Sequence, residues 1–128
     1  MRQKIDRTDR PEKIYSPAKV NLYLKVLSRR PDGYHNLVSL VDIISLADTL
    51  IVQELADDSV LVDDDKGLLP KGPANTIYRA AMLLKQTYSV TRGVRVYVEK
   101  KIPIGAGLGG PSSNAATVRS ASSPLWWP

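Results

Sequence analysis

The chain has 128 residues, 43% of them hydrophobic, with no cysteine, no phenylalanine and one histidine. That makes room for one modest domain and excludes a disulfide scaffold, a thiolate metal site, a thiol nucleophile and a histidine-rich metal centre. The net charge of +5 is uneven: residues 1–30 carry nine Lys/Arg against three acids, 31–70 one against nine, and 71–128 eight against one, a balance that permits a phosphorylated ligand or nucleic acid, though solvated faces are its simplest meaning.

In chain order, residues 1–13 (MRQKIDRTDRPEK) are too polar and too acidic for a signal or transit peptide and are expected to form a disordered extension. In KVNLYLKVL, Val20, Leu22, Leu24 and Val26 alternate with Lys19, Asn21, Tyr23 and Lys25, the period of a strand with one buried face, so Lys19 and Asn21 project together. RPDGYH supplies a turn, after which NLVSLVDIISL and DTLIVQEL read as two further strands in a hairpin-type, antiparallel arrangement. DDSVLVDDD has the look of an acidic hairpin edge and lacks the glycine and late glutamate of a calcium loop. A helix follows, with Ile77, Ala81, Leu84 and Tyr88 at helical spacing and Asn75 or Thr76 placed to cap it. GVRVYVEK returns to strand alternation, and a second helix is expected from about Pro111, since proline suits a first helical turn. No apolar run reaches the roughly 20 residues of a membrane span.

Between that last strand and helix stands IPIGAGLGGPSSNAATV, with four glycines in six positions. Gly105, Gly107 and Gly110 satisfy G-x-G-x-x-G, but no acid follows to hold a ribose, so a Rossmann site is disfavoured. Pro111 stands where a Walker A loop needs lysine, and no V-A-I-K strand follows as in protein kinases. What remains is a glycine loop feeding Ser112, Ser113 and a helix start, where free amides favour an anion such as a triphosphate; a flexible loop or a close helix–strand contact is the plainer alternative.

PIGAGLGGPSSNAA resembles the P-x-G-x-G-L-G/S-S-S-A loop of the GHMP small-molecule kinases, named for galactokinase, homoserine kinase, mevalonate kinase and phosphomevalonate kinase. The opening SPAKVNLYLKV…RPDGYHNLVSLVDIISLADTL is similar to the branch that phosphorylates 4-diphosphocytidyl-2-C-methyl-D-erythritol in the non-mevalonate route to isoprenoids. The likeness runs from about residue 14 to 118 and implies an α+β, two-layer N-terminal domain related to the second domain of ribosomal protein S5. It also implies ATP with Mg²⁺ as cofactors, a cytidine-diphosphate substrate and a cytoplasmic setting, with no membrane partner; it leaves a dimer open.

Position by position, the resemblance makes Lys19 the catalytic lysine near the acceptor hydroxyl and the transferred phosphoryl group. Asn21 would bond the methylerythritol portion, and Tyr34 and His35 would hold the cytosine, one by its face and one by its edge. Asn75 would lie near the adenine, a role compatible with a plain helix cap. The loop Pro103, Ile104, Gly105, Ala106, Gly107, Leu108, Gly109, Gly110, Pro111, Ser112 and Ser113 would wrap the phosphates, with Ser112 or Ser113 able to orient Mg²⁺.

Two departures bear on activity. The branch reads G-L-G-G-G-S-S-N where this chain has GLGGPSSN, so Pro111 removes one amide donor from the cradle. The family's aspartate, in a G-A-D-x-P motif, has no counterpart, since no acid follows Glu99. Residues 119–128, RSASSPLWWP, abandon helical apolar spacing after Val118 and are expected to be an atypical, non-native or frameshifted tail with Trp126 and Trp127 exposed. An inactive kinase fragment is therefore the expectation. The rivals are another GHMP kinase and a non-catalytic nucleotide- or RNA-binding module; no interleaving of aromatic and basic residues supports RNA.

Overall fold

The computed structural model describes residues 11–126, the last six by backbone alone. Four strands and two helices follow in the order β1 (Glu12–Arg29), β2 (His35–Leu55), β3 (Val60–Asp64), α1 (Thr76–Tyr88), β4 (Gly93–Glu99) and α2 (Gly110–Trp126). The sheet order is β1-β2-β4-β3, with β1, β2 and β4 antiparallel and β3 running parallel to β4. The acidic segment is therefore an edge strand, but a parallel one and not a hairpin arm. The two strands expected between residues 36 and 55 are one strand, because Leu46 and Ala47 continue the extended backbone without a break.

One face of the inner sheet is closed by the helices. Leu50 and Val52 of β2, Val94, Val96 and Val98 of β4, Ile77 and Ala81 of α1 and Val118 of α2 form the buried core. The period of two on β4 puts Arg95 and Tyr97 on the opposite, open face. On β1 the inward positions are Ser16 and Ala18, both fully buried. Gly93 begins β4 because a Cβ there would run into the Ser59 carbonyl oxygen where β3 comes alongside.

α1 is capped by Asn75, whose Oδ1 accepts the amides of Ile77 at 2.8 Å and Tyr78 at 3.3 Å, as its place before the apolar repeat predicts. Its buried face is Ile77, Ala81 and Lys85, whereas Leu84 is half-buried and Tyr88 exposed. Lys85 displaces the expected apolar position because its ammonium reaches the carbonyl of Asp58 while its stem packs inward. The helix stops at Ser89, which is left-handed at φ 52° and leaves Val90 to donate to the Lys85 carbonyl at 3.0 Å.

Beyond the helices, β1 and β2 run on as a two-stranded ribbon that no layer covers. Residues 21–38 are exposed throughout, including Leu22, Leu24 and Val26 at 61%, 54% and 57%, which overturns the expected buried face. Alternation sorts side chains to two faces, but burial needs a layer to pack on. Three register shifts bend the ribbon, between Pro17 and Lys19, Asn21 and Tyr23, and Val26 and Ser28.

The amino-terminal end differs from expectation where it is described. Glu12 and Lys13, assigned to the extension, pair with Val52 and Ile51; residues 1–10 lie outside the described residues. α2 continues to Trp126, through Pro124, although its apolar spacing lapses after Val118. Exposure of Trp126 and Trp127 lies outside what is described.

Candidate functional site

The glycine loop sits between the end of β4 and the first turn of α2, over the inner end of β1. Pro103 to Gly107 are exposed, Leu108 and Gly109 half-buried and Gly110 buried. Gly105, Gly107 and Gly109 all have positive φ, so every second residue of this stretch is left-handed, the kind of backbone from which amide nests for anions are built. At Gly109 the absence of a side chain is required twice. Its φ is +69°, and a Cβ would stand 3.0 Å from Lys19 Cγ and 3.1 Å from Lys19 Cε.

Lys19 is thus threaded past the loop. Its amide donates to the Leu108 carbonyl at 2.9 Å, joining β1 to the loop through the backbone, while its stem passes Gly109. Asn21 lies two residues on, on the same strand face with no register shift between them. Its Oδ1 accepts from Ser39 Oγ at 2.8 Å on exposed ribbon.

Ser112 is exposed and Ser113 half-buried in the first turn of α2. The hydroxyl of buried Ser16 donates to Asn114 Oδ1 at 2.8 Å. Its 2.9 Å contact with Ser113 Oγ therefore uses the Ser113 proton, and Ser113 keeps only lone pairs for another partner. Thr76 Oγ1 donates to the Pro111 carbonyl at 3.3 Å and ties the two helix starts together. Pro111 itself stands second in α2, where its missing amide breaks no helical bond.

Beside the loop a cleft of about 140 Å³ is lined by Leu69, Asn75, Ile104, Pro111 and Asn114 among others. Asn75 is 2% exposed there, its Nδ2 donating to the Pro70 carbonyl at 3.0 Å. Its cap role is therefore fully built, and it also borders the cleft. A larger groove of about 380 Å³ between α1 and α2, with Leu83, Tyr88, Ala116 and Arg119, does not touch the loop.

Tyr34 and His35 stand elsewhere. Tyr34 is 71% exposed in the turn at the ribbon's tip, its amide donating to Asp32 Oδ1 at 3.0 Å, and His35 pairs with Arg29. Ten residues of β1 separate Arg29 from Lys19, about 33 Å of strand if straight. The structure brings Lys19, the loop, Ser113 and Asn75 into one neighbourhood and leaves Tyr34 and His35 at the far end of the ribbon.

Reading the sequence alone misses three residues here: Ser16, Asp48 and Lys100. Asp48 is fully buried and Lys100 nearly so, with their charges 2.5 Å apart. Burial alone would push the Asp48 carboxyl up. The Lys100 ammonium and the amides of Ile102 and Lys101 outweigh it and hold the pKa below the ordinary carboxylate value. A carboxyl lowered on folding stabilises the fold fully above its unfolded pKa near ~4, and that stabilisation is lost as pH falls through the lowered value. The only sequence signal was a lone acid in the apolar run ISLADTLIV.

Residues 75–126, from the α1 cap through the loop and α2, match the model of the GHMP kinases N terminal domain. A 4-diphosphocytidyl-2-C-methyl-D-erythritol kinase of Enterococcus faecalis is 41% identical over 111 residues, covering 87% of this chain and 39% of that relative. The crystal structure of a 4-(cytidine 5'-diphospho)-2C-methyl-D-erythritol kinase superposes with a TM-score of 0.78 at 43% identity over 91% of this chain. The chain matches the N-terminal domain of the GHMP kinases in sequence and fold. It spans about two fifths of the length of these relatives, and its likeness to this branch holds in sequence as well as fold. The Bacillus licheniformis enzyme of the same name is 43% identical over 111 residues, covering 87% of this chain and 38% of that relative. A homoserine kinase from Cytophaga hutchinsonii shares the fold, with a TM-score of 0.68 at 19% identity over 98% of this chain and 37% of that one. No helix among the described residues is long and apolar enough to cross a membrane.

Proposed function

We propose that this chain forms the lysine and phosphate-loop half of an ATP-dependent kinase, one that phosphorylates the 2-hydroxyl of 4-diphosphocytidyl-2-C-methyl-D-erythritol in the cytoplasm. The observation that carries the reading is the junction at Lys19, whose amide bonds Leu108 and whose stem lies against Gly109. The lysine and the glycine loop are one unit, and the 43% identical kinase of known structure supports the substrate branch.

The donor set suits a triphosphate. Curled loop amides, the start of α2 and the Lys19 ammonium all present positive character, and no cluster of acidic or histidine ligands competes among the described residues. When bound, ATP with Mg²⁺ supplies the phosphoryl group and its counter-ion. The loop amides hold the phosphate oxygens, and Lys19 stabilises charge gathering on the transferred group. Ser113, its proton committed to Ser16, offers lone pairs suited to the cation, and Ser112 adds a second hydroxyl. The cleft is well below the 300–1,000 Å³ of a typical ligand site, so it takes the adenine, beside Asn75 and Ile104, and leaves the phosphates to the loop. Asn21 meets the methylerythritol portion. Tyr34 and His35 take the cytosine from the ribbon's tip, which requires the bulges of β1 to bend that tip toward Lys19.

No acid follows Glu99, and Asp48 is enclosed by its own partners. The 128 residues alone therefore hold nucleotide without turning it over, for a positioned general base is commonly worth about 10² to 10⁴ in rate. The test is a chimera in which residues 14–118 replace the matching residues of the Enterococcus faecalis relative. The chimera is expected to form the 2-phosphorylated product from ATP and the cytidine substrate, the 128-residue chain to form none above background, and Lys19→Ala in the chimera to cost on the order of 10² to 10³ in rate. A folded but inactive chimera, or one indifferent to Lys19, would overturn the reading.

A further inference from the structure

Three consecutive residues at the exit of β4 wrap a single buried carboxylate. Asp48 Oδ1 accepts the amides of Lys101 at 2.7 Å and Ile102 at 2.8 Å, and Oδ2 takes the Lys100 ammonium at 2.5 Å. The same three-residue turn is gripped from its other side. The Lys100 amide donates to Asp65 Oδ1 at 3.0 Å, and the Lys100 carbonyl accepts from Lys66 Nζ at 2.8 Å. Pro103 and the glycine loop begin at the next residue.

The clasp also reaches the loop's far end. A Cβ on Gly110 would stand 3.5 Å from Lys100 Nζ and 3.2 Å from Ile102 Cγ2, so the first residue of α2 rests on the two side chains that the clasp fixes. An ammonium beneath a helix start opposes the positive end of the helix dipole. Asp48 neutralises it, which makes the pair a support for α2 there instead of a repulsion.

We propose that Asp48 is a positioning residue for the phosphate loop: by holding residues 100–102 it sets both where the loop leaves β4 and where it lands on α2. It touches no phosphate, being fully buried, and acts through the loop's two ends. The inference rests on the reading of the loop as a phosphate cradle.

The experiment separates loop position from general stability by comparing two variants that injure the clasp differently. Asp48→Ala removes the acceptor of both amides. Asp48→Asn keeps an oxygen for those amides, and both variants leave the Lys100 ammonium buried without its counter-charge, an arrangement costly to the fold. The proposal predicts that the loss of melting temperature is shared and the effect on the loop is not. Both variants melt below the unaltered chain, whereas Asp48→Ala causes the larger shifts in the amide resonances of Gly105 to Gly110 and Lys19 and weakens Mg-ATP binding by roughly 10-fold or more. Val52→Ala, a core change on the same strand, serves as the control for lost stability and should leave those resonances in place. Should the single variants fail to fold, Asp48→Ala with Lys100→Met, which buries no unpaired charge and still removes the acceptor of both amides, is read in the same way and is expected to move the loop resonances.

Loop resonances that stay put in the folded Asp48 variants, or that move in proportion to melting temperature and no more than in Val52→Ala, would overturn the proposal. If the unaltered chain fails to bind Mg-ATP, the phosphate-cradle reading falls, while the loop resonances still decide whether Asp48 positions the loop.

Discussion

The inner and outer halves of the long β1–β2 pair are built from the same kinds of residue and have opposite fates. On β2, Leu50 is fully buried and Leu40 is 59% exposed, although both belong to one continuous strand. What differs is the layer above them. α1 and α2 cover the inner half, where Leu50 meets Val96, Val98 and Ile77 in the core, and nothing among the described residues covers the outer half. Strand alternation gives a strand its faces; only tertiary packing decides whether a face is dry. The candidate site lies at the border of the two halves, where Lys19 leaves the packed sheet for the ribbon.

The sharpest way to break this comparison is to cut the same side chain in each half. Leu50→Ala is expected to cost about 2–5 kcal/mol of stability, as deleting a packed leucine does, while Leu40→Ala should stay within about 0.5 kcal/mol, as for an exposed position without a special role. Denaturant melts of the two variants measure both. Equal costs would mean that the ribbon is packed in solution, by another molecule or by itself, and the contrast would fail.

A smaller effect probes the border itself. Gly109→Ala places a side chain at positive φ and against the Lys19 stem, a backbone cost of about 1–2 kcal/mol. The expected outcome is modest loss of stability with marked loss of nucleotide affinity, because Lys19 must move aside. Unchanged affinity would show that the lysine and the loop work separately.

The fold class was legible in the sequence because its signals are local. Val94, Val96 and Val98 announce a strand, Asn75 before Ile77 a capped helix, and the glycine run before Ser112 a loop entering a helix. That Lys19 and the loop lie side by side, as a candidate site needs, was legible through family resemblance, which carries spatial information that periodicity lacks. The ribbon was not legible, since Leu22, Leu24 and Val26 carry the same pattern whether or not a helix lies over them. Nor was the Asp48 clasp, because its partners stand 52 to 54 positions away along the chain and no local rule links them. Lys85 on the inner face of α1 was missed for a related reason: its partner, the Asp58 carbonyl, lies 27 positions away.

The central claim is that the loop and Lys19 form one phosphate-binding unit on the packed half of the molecule. Titrating the ¹⁵N-labelled chain with Mg-ATP tests it most directly. The account predicts that amide resonances of Gly105 to Ser113 and of Lys19 shift together along one binding curve, while those of Tyr34 and His35 at the ribbon tip stay in place. Loop resonances unmoved at millimolar nucleotide, or shifts confined to the ribbon, would contradict it.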